Sequence, residues 1–105
     1  MRSVSIASIE VAADGRVAVV PATDDTGMFD YVYRAAAGVH WDATAKCFAP
    51  REVGSISPLQ WFRTILQAVH SEFGLRLQLS PDTRWVSVSP QLRRQFESEA
   101  SGEAA

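Results

Sequence analysis

The chain has 105 residues, of which 47% are hydrophobic, and a formal net charge of −2. That length holds one domain with one modest core. Scattered arginines and a slightly acidic balance exclude the clustered basic face of a general nucleic-acid binder, the single cysteine excludes an internal disulfide, and no stretch approaches the ~20 apolar residues of a membrane helix.

Ile9 and Val11 alternate with Ser8 and Glu10, the pattern of a half-buried strand. Val4 and Ile6 alternate in the opposite phase, which predicts a bulge near residues 7–8 or a strand that starts late. The serines and Glu10 of this segment also break any signal-peptide core, so a cytoplasmic protein is expected. Asp14-Gly15 reads as a two-residue hairpin turn. That turn sets Ala13 opposite Arg16, Val11 opposite Ala18 and Ile9 opposite Val20, and gives a core face of Ile9, Val11, Ala18 and Val20. Pro21 ends the second strand. Residues 21–28 form a polar loop, and Asp24-Asp25 within it, with no further ligand near in sequence, reads as a solvated turn rather than a metal pair.

Phe29, Tyr31 and Tyr33 alternate with Asp30, Val32 and Arg34. Aromatic residues two apart favour a strand, while the alanines at 35–37 suit a short helix, so both remain open until Gly38 breaks the segment. Residues 39–41 read as a strand, 42–46 as a turn and 47–49 as the returning strand, with Asp42 opposite Cys47.

Residues 57–74 carry the strongest signal. Leu59, Phe62, Ile65, Leu66, Val69 and Phe73 recur at helical spacing, with Trp61 and Ala68 at the edge of the stripe. Ser57 suits the N-cap and Pro58 the first turn. Gln60 completes a capping box, Ile56 and Trp61 stand at the positions of a hydrophobic staple, and Gly74 supplies the left-handed stop. Next, Leu75, Leu77 and Leu79 alternate with Arg76 and Gln78. Residues 80–83 form a turn, and 85–88 read as a partner strand. Ser89-Pro90 starts a short helix with Leu92 and Phe96 on one side. From Glu97 onward apolar surface is scarce, which predicts a disordered tail.

The expected fold class is α+β: an antiparallel sheet of hairpins packed on one long amphipathic helix, with a short C-terminal helix. A single domain spans 1–96 and a tail spans 97–105.

His40, Asp42 and Cys47 are the one constellation resembling a catalytic group, because a hairpin places all three on one face. No helix N-terminus or oxyanion site accompanies Cys47, so a strand cysteine, a surface histidine and a turn aspartate are the better reading. His70, near the end of the long helix, reads as a residue complementing the helix dipole. Two histidines and one cysteine off ligand spacing predict neither a metal nor a cofactor. The rings at 29, 31, 33, 41, 48, 61, 62 and 85 are numerous for one small core. They point to an interface between copies, or to a pocket beside the helix. Tyr31, Tyr33, Arg34, His40, Trp41, Trp61 and Trp85 are its candidate ligand-binding residues, with Arg34 suited to an acidic ligand.

The Tyr31-Val32-Tyr33-Arg34 run, Trp41-Asp42, the Trp61-Phe62 pair, the Glu72-Phe73-Gly74 helix end and Trp85 resemble a family of small bacterial proteins carried on integron gene cassettes. The similarity spans most of residues 4–90. It implies a compact α+β domain in a bacterial cytoplasm with a mobile, accessory role and self-association. It implies no reaction and carries over no functional residues. The function expected is a non-enzymatic binding or interaction protein acting as a homo-oligomer. The alternative is a small-molecule-binding protein or minor enzyme with an aromatic-lined pocket between helix and sheet. A third idea, an acidic protein blocking a basic site on a partner, is not separable from the first.

Overall fold

The computed structural model describes residues 2–24, 26–36, 38–50 and 57–101. Strand β1 (Arg2–Val11) runs through the centre of a six-stranded sheet. Along one edge it pairs antiparallel with β2 (Val17–Pro21), which leads outward to β4 (Cys47–Pro50) and then β3 (Val39–Asp42). Along the other edge lie β5 (Leu75–Gln78) and β6 (Arg84–Val86), both parallel to β1. The sheet is therefore mixed, which corrects the expected antiparallel sheet of hairpins. The segment at 80–83 does turn, but β5 and β6 do not pair with each other. They follow one another along β1 as a single interrupted strand, since local turn chemistry does not fix which edge a strand joins.

At the interruption, Gln78 stands opposite Ser5 and Arg84 opposite Ser8, so the extra residues of the outer segment loop out. Thr83 fills the gap. Its buried hydroxyl donates to the Ile6 carbonyl at 2.7 Å and accepts from the Ser80 N–H at 2.9 Å. A backbone acceptor left without a ladder partner thus gains a side-chain one.

β1 contains the expected bulge: its register against β2 shifts between Ile6 and Ser8, which lets Val4, Ile6 and Ile9 all reach the core. The β1–β2 hairpin differs by one residue from expectation. Val11 faces Val17 and Ile9 faces Val19, so Val17 and Val19 are buried instead of Ala18 and Val20. The physical reason lies at Gly15, whose φ of +89° places it in the left-handed region. Gly15 N–H donates to Ala12 O and Ala12 N–H to Arg16 O, both at 2.9 Å. The loop is thus of the longer, bulged kind rather than the two-residue turn, and Asp-Gly chemistry serves both. Asp14 tightens it by accepting from the Arg16 backbone at 3.1 Å and side chain at 2.8 Å. These contacts hold its carboxyl below the ordinary range.

Residues Phe29–Arg34 form a 3-10 helix, not a strand. Its three-residue period buries Phe29 and Val32 together, and alternating tyrosines follow no such rule. β3 and β4 form the expected hairpin, with Asp42 opposite Cys47 and His40 opposite Ala49.

Helix α1 (Pro58–Phe73) packs its buried Phe62, Ile65, Ala68 and Val69 toward the sheet. Its capping box is formed: Gln60 N–H donates to Ser57 Oγ at 3.2 Å and Ser57 N–H to Gln60 Oε1 at 3.1 Å. Gly74, at φ +66°, closes it by donating to His70 O at 2.9 Å. Ile56, half of the expected staple, lies outside the described residues.

Two ring groups fill the interior. Phe29 sits 5.0 Å from both Trp41 and Phe48 and 5.4 Å from Phe73. Phe62 stacks on Phe96 at 4.4 Å, with Trp85 6.3 Å from Phe96. Phe96 belongs to α2 (Pro90–Ser101), whose Ser89 cap accepts from Leu92 N–H at 3.2 Å. This helix continues to Ser101, into the stretch expected to be a tail. Leu92, Phe96 and Ala100 recur at four-residue spacing on the side that meets the core, and Glu99 ties to Arg63 of α1 at 2.8 Å. Together they hold residues 97–101 in place. Residues 102–105 lie outside the described set.

Candidate functional site

The hairpin β3–β4 turns one face to the core and the other outward. Trp41 and Phe48 point inward and are buried. His40, Asp42 and Cys47 share the outer face, so the structure brings the three together as the sequence reading expects. Their chemistry is not that of an activated thiolate. Asp42 Oδ1 already accepts from Thr44 N–H at 2.9 Å and Ala45 N–H at 3.0 Å, closing the turn. Cys47 is buried, and burial pushes its thiol from 9.0 to about 11, with the Asp42 and Glu10 charges adding to the effect. At neutral pH it is a protonated, weakly reactive thiol. His40 Nδ1 is buried with no hydrogen-bond partner among the described residues. His40 and Asp42, with Glu10 and Arg16, line a shallow recess of about 280 Å³. Among the described residues no three His, Cys, Asp or Glu side chains are grouped to hold a metal.

The candidate ligand-binding residues occupy separate places. Tyr31, Tyr33 and Arg34 stay together on the 3-10 helix. Its period puts Met28, Tyr31 and Arg34 along one side and Asp30 and Tyr33 along another. Met28 is 66%, Tyr31 41% and Tyr33 46% exposed. The Arg34 guanidinium lies 4.4 Å above the Tyr31 ring and reaches Glu72 of α1 at 3.9 Å. His40 is on the outer sheet face. Trp41 is 4.9 Å from Phe48 in the interior, so its ring is packed rather than presented. Trp61, half-buried on α1, lies against Gly38: a Cβ there would sit 3.4 Å from the indole. Trp85 is half-buried on β6, with the Arg93 guanidinium 4.9 Å above it. Among the described residues, no recess gathers the seven.

Sequence reasoning missed the flanks of α2. A recess of about 370 Å³ opens between α1, β5 and α2, and one of about 490 Å³ between β5, the 79–81 segment and α2. Both are lined by Arg76 and Ala100. The wall of each recess that residues 97–101 supply lies within the stretch expected to be a tail, and the Leu92, Phe96, Ala100 spacing is the signal for it.

The profile of a family described as integron cassette protein Hfx_Cass5 matches residues 4–83. Among solved structures, the integron cassette protein Hfx_Cass5 from the mobile metagenome of the North West Arm sewage outfall is 34% identical. The match covers 96% of this chain and 98% of that one, with a TM-score of 0.43. No curated protein matches.

Proposed function

The chain belongs to the Hfx_Cass5 integron cassette protein family, and on that premise we propose a cytoplasmic, non-enzymatic interaction protein that self-associates through the 3-10 helix. The observation that carries the reading is the outward display of Met28, Tyr31 and Tyr33. Tyrosine and methionine are enriched where protein surfaces meet, since they bring large contact area with a polar or adaptable tip. A second copy is the occupant that the charges favour. Asp30 and Arg34, both exposed, stand on adjoining sides of the same short helix, with Arg34 58% exposed and held only at 3.9 Å from Glu72. A two-fold contact would set each against its opposite in the other copy. Light scattering on the intact chain tests the reading. The expected mass exceeds one chain and falls to one chain in the Tyr31→Glu/Tyr33→Glu variant. A wild-type mass of one chain, or a variant whose mass is unchanged, refutes it.

A further inference from the structure

We infer that the recess between α1, β5 and α2 binds a small amphipathic monocarboxylate, its carboxylate on Arg76 and its apolar body on Leu66, Leu77 and Ala100. The recess shares no residue with the 3-10 helix, so this inference stands apart from self-association. Its volume, about 370 Å³, falls in the range of sites that hold small organic ligands.

The charge balance selects the ligand. Three arginines line the two recesses beside α2. Arg63 is spent on Glu99, with Nε at 2.9 Å and Nη2 at 2.8 Å from Oε1. Arg93 reaches Glu97 at 3.6 Å. Arg76, which lines both recesses, forms no ion pair among the described residues. One unmatched guanidinium calls for one negative charge, and its planar fork matches a carboxylate by two parallel hydrogen bonds. His70 and Gln67 line the recess from α1 and bring further hydrogen-bonding groups. Below them Leu77 and Ala100 are buried and Leu66 half-buried, a dry floor for a hydrocarbon body. A dianion would leave one charge unmatched, and a neutral apolar ligand would leave Arg76 as it is. Five polar side chains, Arg63, Gln67, His70, Arg76 and Glu99, thus surround an apolar floor of three residues, an amphipathic lining that suits a ligand with one charged end and one apolar end.

Calorimetric titration with hexanoate, and with hexanamide as its neutral counterpart, tests the assignment. Hexanoate is expected to bind saturably, with hexanamide at least about tenfold weaker. Arg76→Gln should weaken hexanoate by about tenfold and leave hexanamide unchanged. Arg76 is exposed, so the variant should fold, which its circular dichroism spectrum verifies. As a second readout, hexanoate should shift the methyl resonances of Leu66, Leu77 and Ala100. Absence of saturable binding, equal affinity for the amide, an unaffected Arg76→Gln variant, or shifts confined to other methyls each overturns the proposal.

Discussion

Thr83→Val isolates the hydroxyl that bridges the interrupted edge of the sheet. Valine keeps the shape and branching of threonine and removes the oxygen. Thr83 is buried, 7% exposed. Its hydroxyl donates to Ile6 O at 2.7 Å and accepts from Ser80 N–H at 2.9 Å. The variant leaves the Ile6 carbonyl facing a methyl group, a buried unmet acceptor worth about 1–3 kcal/mol. It also loses the bond from the half-buried Ser80, about 1 kcal/mol more. The sum, roughly 2–4 kcal/mol, is a large share of the 5–15 kcal/mol that holds a small domain together. At about 4–8 °C per kcal/mol for a domain of this size, the melting temperature should fall by about 8 °C or more. Thr83→Ser keeps both hydrogen bonds and loses one methyl group, about 1 kcal/mol. Thermal and urea unfolding of the three proteins should therefore rank wild type, then serine, then valine. A valine variant as stable as wild type, or a serine variant below valine, refutes the role given to the hydroxyl.

Two further predictions concern burial. Cys47, pushed to about 11, should react slowly with iodoacetamide in the folded protein until the pH nears that value, whereas the urea-unfolded chain should react from about 9. The raised value means that the folded state holds the proton longer than the unfolded one. Cys47 thus lowers stability as pH climbs from about 9 to about 11 and is neutral to it below that window. Cys47→Ala should flatten that part of the stability curve, and equal alkylation rates for the two states would count against the burial. Phe96→Ala should cost about 3–5 kcal/mol through the cavity left against Phe62. It should also speed amide exchange along α2, and a variant with wild-type stability would show that α2 is not anchored by this ring.

The parts legible in the sequence are those where local chemistry and burial agree. Ser57, Pro58, Gln60 and Gly74 mark the ends of α1 by the backbone groups they satisfy, and its apolar stripe is the face that packs. The change of phase between Ile6 and Ile9 suits a bulge or a late strand start, and the register shift between Ile6 and Ser8 is the bulge. Asp14-Gly15 marks the hairpin but not its register, because glycine satisfies both the two-residue turn and the longer loop with Gly15 at φ +89°. The tyrosines at 31 and 33 imitated a strand, whereas Phe29 and Val32, three apart, were the residues that burial selected. The parallel placement of β5 and β6 is a non-local choice, decided by which edge of β1 is open, and no local pattern carries it. The candidate site was harder to read for the same reason: Arg76 has the signature of any outward residue on a half-buried strand until α2 supplies the second wall.

That contrast follows from how burial writes itself into a sequence. An apolar core must repeat at the period of its element, so α1 and β5 declare themselves through spacing. An exposed group has no period to obey, and its role depends on which partner it lacks. Arg63 and Arg76 are both exposed. Glu99, 36 residues further along the chain than Arg63, matches one of them, and Arg76 has no ion pair among the described residues. An exposed pair such as Arg63–Glu99 contributes at most about 1 kcal/mol to the fold. Its larger consequence is to occupy the neighbouring guanidinium and fix the wall of α2, so that Arg76 is left as the cation facing the recess.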